Sequence, residues 1–168
     1  MEAIMTISSS EAQLELTLLN AKTNGFDEHD AFTSFVNAGL PMEIILRLKE
    51  LWGATKVLGG KVIRIGKIIV IEIIKFINEN PNLATGVAVG AAVGSLISLV
   101  PYLGPLLAPL STAIGALLGG LAGARLDRTN KNAQGIVGVA QDVIVVARKF
   151  FELLASIFMA LKEKLNDE

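Results

Sequence analysis

The 168-residue chain predicts an all-α fold. The expected architecture is a long helical hairpin with an apolar, glycine-zipper tip, flanked by amphipathic helices and preceded by a small helical head. Three observations lead there. No charged residue occurs in the 45 positions from Asn80 to Ala124. Within that run small residues recur every fourth position, the spacing that lines one face of a helix. On both sides of it, charges recur with the 3.6-residue period of a helix and not the two-residue period of a strand. The chain divides into an acidic head (1–40), an amphipathic helix (41–79), the apolar hairpin (80–124) and a second amphipathic helix (125–168).

The head opens with Ser10-Glu11-Ala12-Gln13, a capping-box pattern before a helix to about Lys22. Asp27-Glu28-His29-Asp30 starts a second helix reaching Ala38, with acids placed favourably in its first turn. That cluster reads as a solvated cap and not as a metal site. Phe26, Phe32, Phe35 and Val36 are expected to fold the head onto Leu48 and Trp52. Gly39 suits the end of the second helix and Pro41 the start of the next.

From Pro41 to Glu79 no proline intervenes, and Glu43, Arg47, Glu50, Lys61, Arg64, Glu72, Lys75 and Glu79 fall on one stripe of a helical wheel. The expectation is one continuous helix, about 58 Å long. The Ile- and Val-rich segment 62–77 has a competing strand tendency, which the helical period of the charges overrides. After the hairpin, a second helix presents Asp142, Lys149, Glu152 and Glu163 on one face. Ile136, Val143, Ile144, Phe150, Leu154 and Leu161 line the other. The two arms are expected to pack on each other or on copies of themselves.

The hairpin holds two apolar segments, Leu83–Val100 and Leu106–Ala124, of 18 and 19 residues. Each would be about 27–29 Å long as a helix, against a bilayer hydrocarbon core of about 30 Å. Pro101, Gly104 and Pro105 form the turn between them. The first segment carries Gly86, Gly90, Gly94 and Ser98 as its helix-packing face, and the second carries Ser111, Gly115, Gly119 and Gly123. Glycine inside a helix costs about 1 kcal/mol relative to alanine. Such faces therefore make sense where backbones approach closely.

Charge is unevenly spread. Residues 1–46 hold seven acids and one base, residues 47–79 seven bases and three acids, and residues 125–168 seven bases and six acids. Lys61, Arg64, Lys67 and Lys75 before the hairpin, and Arg125, Arg128 and Lys131 after it, are read as contacts to lipid head groups. By the positive-inside rule they place both termini on the cytoplasmic side of an inner membrane. Met1-Glu2-Ala3-Ile4 does not read as a secretory signal.

Composition excludes other classes. The chain is 52% hydrophobic, 18% charged and 5% aromatic, with 16 glycines. A soluble domain carries about 25% charged residues, and disorder needs low hydrophobicity. With no cysteine and the single histidine His29, disulfides, thiolate sites and multi-histidine metal sites are excluded. Gly59-Gly60-Lys61 is no phosphate loop, because that pattern needs Gly at 55 and Ser or Thr at 62, where Thr55 and Val62 stand. The apolar run contains no carboxylate for ion-coupled transport. The basic segment holds only Trp52 and Phe76 as rings, which argues against nucleic acid. The reading is a non-enzyme without cofactor.

Over residues 41–165 the pattern of Gly86/Gly90/Gly94, Gly115/Gly119/Gly123 and the Pro101–Pro105 turn resembles bacterial glycine-zipper membrane-hairpin proteins. These include helical pore-forming toxins, the pore-forming domains of colicins and holin-like proteins. The resemblance implies a membrane-inserting, self-assembling protein that perforates or remodels a bilayer, with the bilayer and further copies of itself as partners. Two other readings stand beside it. One is a membrane anchor or scaffold whose acidic head recruits a soluble protein partner. The other is a soluble homo-oligomeric helical assembly.

Overall fold

The structure is a computed structural model. It describes residues 7–126 and 130–167, with side-chain surroundings for 7–116 and 142–165. It is mostly helical, in the class the sequence predicts.

The head is built from capped helices. Helix α1 (Ser9–Lys22) starts on Ser8, whose hydroxyl accepts the Glu11 N–H at 3.1 Å. The cap is thus two residues before the expected box. A 3-10 turn (Thr23–Gly25) leads to α2 (Glu28–Asn37). The Asp27 carboxylate accepts the Asp30 N–H at 3.1 Å, satisfying a donor at the helix start. Gly39 ends α2 with φ +83°. There the Leu40 N–H donates to the Phe35 carbonyl and the Gly39 N–H to the Val36 carbonyl, the paired bonds of a Schellman cap.

The continuous helix expected over 41–79 does not form. Helix α3 (Met42–Trp52) stops at Gly53, and helix α4 (Ile65–Glu79) starts afresh. Between them lie strands β1 (Lys56–Leu58) and β2 (Lys61–Ile63), paired antiparallel with Leu58 opposite Lys61. Gly59 and Gly60 sit at φ +57° and +82°, the positive values that both central positions of a type I′ hairpin turn require. Three glycines in eight residues, with β-branched Val57, Val62 and Ile63, favour this hairpin over a helix. A short strand β3 (Asn166–Asp167) joins the other side of β1, giving the order β2-β1-β3.

The free edge of β2 is closed by one side chain. The Asn20 amide donates to the Val62 carbonyl at 3.2 Å and accepts the Arg64 N–H at 2.8 Å. It makes both bonds that a further strand would make. Asn20→Ala should cost about 1–2 kcal/mol at the usual worth of two such bonds. It should also speed hydrogen exchange at the Arg64 amide. Unchanged exchange there would refute this role.

Helix α5 (Thr85–Leu99), a 3-10 turn (Pro101–Leu103), α6 (Gly104–Leu126) and α7 (Asn130–Ala160) complete the chain. Helix α5 lies against α4, α6 and α7, while α3 packs on α4 and α6, and α1 on α7. The two amphipathic arms therefore pack against one side of the first apolar helix through α4 and α7; they do not form a stalk below it. Phe76 of α4 is fully buried, with its ring 5.3 Å from Phe150 and 5.7 Å from Phe151 of α7. The core runs from Leu48 and Ile69 through Val89, Ala92 and Leu96 to Phe158.

The expectation of two membrane-spanning helices finds no support in the folded chain. Among the described residues no helix is long and apolar enough to cross a membrane. Helix α5 has 15 residues, about 22 Å of rise, short of the roughly 30 Å hydrocarbon core. Its ends are set by Ala84 and Val100, both in extended or non-helical backbone.

Candidate functional site

The candidate site is the α5–α6 hairpin with the cations around it. The sequence makes α5 from small and branched apolar residues. Its core face is Ala88, Val89, Ala92, Val93, Leu96 and Leu99, all buried. Its glycine face points elsewhere. Gly94 and Ser98 are exposed, and Gly86 and Gly90 half-buried. A methyl group added at Gly86 or Gly94 would meet no atom within 4 Å. The same holds at Gly115 of α6, beside half-buried Ser111. The small-residue stripes thus do not clasp each other at these positions. Gly119 and Gly123 lie outside the residues whose surroundings are described.

The turn is compact. Pro101–Leu103 form one 3-10 turn and Gly104 opens α6, with Pro101 and Pro105 exposed and Leu103 buried. The half-buried Tyr102 phenol donates to the Phe158 carbonyl, and its partial burial pushes its pKa up. This bond fixes the hairpin tip to the last turn of α7.

The cations are placed unequally. Lys61 is exposed on β2. Arg64 donates to the Thr23 hydroxyl and the Asn24 side-chain carbonyl, holding the head to the sheet. Lys67 sits 5.2 Å over the Trp52 ring. Burial first, and then Arg64, lower its pKa, while Asp27 and Glu28 act in the opposite sense. Lys75 lies 3.2 Å from Glu72 within α4. Arg125, Arg128 and Lys131 lie outside the described side chains.

The head docks on α3 through Phe32 as its aromatic residues lead one to expect, and leaves beside that contact a groove that the periodicity did not signal. Phe32 packs edge-on against Trp52 and Phe35, at 5.6 Å in both cases. Val36 and Phe26 stay exposed. An open groove of about 620 Å³ runs between α2 and α3, lined by Asp27, Glu28, Phe32, Val36, Met42 and Leu46 among others. Gly66 is a second position missed by sequence reasoning. A Cβ there would lie 1.6 Å from the Leu51 carbonyl oxygen, so α3 and α4 meet backbone to backbone. Among the described residues no group of His, Asp and Glu is arranged to hold a metal ion.

The chain matches no family model, no curated protein and no solved structure.

Proposed function

We propose that the chain is a membrane-perturbing helical protein whose folded form stores its apolar hairpin, and which opens at a bilayer to let residues 80–124 insert and self-associate. The observation that carries this reading is an uncharged hairpin whose first helix is held against amphipathic arms on one side while its glycine stripe stays open on the other. A helix apolar on all sides belongs in a protein core or in lipid. Moving α5 from one to the other keeps its apolar surface out of water and desolvates no charge. The cost lies in opening the bundle. Helical residues over Leu83–Val100 would bring the first segment to about 27 Å. In lipid, the open Gly86, Gly94 and Gly115 faces would then seat neighbouring helices, where small residues permit close packing.

Gly94→Leu and Gly115→Leu test this. Both positions face open space, so the folded chain should retain its circular dichroism and melt no lower than wild type. Dye release from anionic vesicles should fall at least tenfold. Undiminished release by both variants would contradict the proposal. A second reading, an anchor whose head recruits a soluble protein, is favoured by the open α2–α3 groove. It predicts vesicle binding without leakage.

A further inference from the structure

The sequence places cations at the base of the hairpin, away from its tip. In the folded chain the tip and a cationic cluster share one end. Helix α4 leaves the sheet at Ile65, α5 follows after a short link and packs against it, and the turn after α5 is tied to the end of α7, which leads back to the sheet through β3. The Tyr102 hydroxyl is bonded to Phe158, four residues before Lys162, so the turn is anchored at the end of α7 that leads to Lys162. Lys162 and Lys164 lie exposed in the turn that leads from α7 to β3, and Lys61 is exposed on β2 in the same sheet. Lys22, at the end of α1, and Arg64 are joined to this sheet through the Asn20 and Asn24 bonds. Glu163 and Asp167 are the carboxylates of the α7–β3 segment among the described residues. Asp27 and Glu28 act on Lys67 at the neighbouring head. Val62, beside Lys61, is an exposed apolar side chain.

Resting on the membrane reading above, we infer that this end is the docking face of the folded chain for an anionic lipid surface, with Lys22, Lys61, Arg64, Lys162 and Lys164 around the hairpin tip. A cation close to a negatively charged leaflet contributes about fivefold in affinity. The uncharged Pro101–Pro105 turn in their midst meets the headgroup layer first. Docking by this end thus aims the hairpin at the bilayer before the bundle opens. A nucleic acid offers the same charge but nothing for exposed Val62 and the prolines, and the Tyr102 ring at this end is half-buried and tied by its hydroxyl to Phe158, not free to stack on bases.

The test compares two double charge reversals of equal size, Lys162→Glu/Lys164→Glu at this end and Arg47→Glu/Lys49→Glu on α3. All four side chains are exposed, so both variants should fold. Binding is measured by co-sedimentation with phosphatidylcholine vesicles with and without phosphatidylglycerol. The wild-type chain should bind the anionic vesicles in a salt-dependent way. The Lys162/Lys164 pair should weaken that binding at least about 25-fold, at fivefold for each cation lost, and the Arg47/Lys49 pair by less than threefold. Equal weakening by both pairs, with wild-type dye release intact, would overturn the docking face but leave the membrane reading standing. Wild-type binding to neither vesicle would overturn both. Tighter binding to single-stranded RNA than to anionic vesicles would assign the cluster to nucleic acid and overturn the inference.

Discussion

Gly66→Ala should destabilise the chain by about 2 kcal/mol or more. The added methyl carbon would stand 1.6 Å from the Leu51 carbonyl oxygen and 2.7 Å from its carbon, so no rotamer change relieves it. The Gly66 N–H also donates to the Ala54 carbonyl at 3.1 Å, which pins the two backbones together. Overpacking typically costs about 1–3 kcal/mol, and more where backbone must shift. The better helix preference of alanine returns about 1 kcal/mol. Gly94→Ala is the internal control with the opposite sign. It faces open space within a helix, so it should gain up to about 1 kcal/mol. Urea unfolding midpoints of the two variants should move in opposite directions. A neutral Gly66→Ala would mean that α3 and α4 do not cross as described.

Phe76→Ala should be the most damaging single truncation, at about 3–5 kcal/mol. Its ring is fully buried and meets Phe150 and Phe151, so the change removes apolar burial and two aromatic contacts together. A domain of this size is stable by about 5–15 kcal/mol, so the loss is a large share of the whole. The consequence reaches function. Phe76 joins the two arms that pack against α5, and loosening them lowers the cost of opening. At temperatures where Phe76→Ala is still folded, its dye release from anionic vesicles should be faster than wild type. Phe26→Ala, at a partly exposed ring of the head, should change neither quantity by much. Loss of stability without any gain in release would separate the arms from the opening step.

Much of the fold is legible in the sequence, for reasons that also show where legibility stops. Asp27, Gly39 and Trp52 announce the head and its docking, because caps and rings act over a few residues. The β1–β2 hairpin is not recovered, although Gly59-Gly60 and the branched residues around it carry its signal. The charges of 41–79 fit one helical wheel whether or not the chain is continuous through Gly53, Gly59 and Gly60. The position of α5 is hidden for a deeper reason. An uncharged run such as Ala88–Leu99 looks the same whether protein or lipid covers it. Four-residue spacing at Gly86, Gly90 and Gly94 reports a smooth face but not which way it turns. Gly66 resembles any glycine in a helix until Leu51 is placed against it. The tertiary return that bonds Tyr102 to Phe158 has no local signature.

The most direct measurement of the central claim uses the absence of cysteine in the chain. A single Ser98→Cys variant carries an environment-sensitive fluorophore on the exposed face of the first apolar helix, and a Glu50→Cys variant carries it on the head side. Lipids brominated deep in the acyl chains report depth once vesicles are bound. Insertion of residues 80–124 should give deep quenching of the label at 98 and none at 50. Vesicle-bound protein in which neither label is quenched would contradict it, because the hairpin would then have stayed within the bundle.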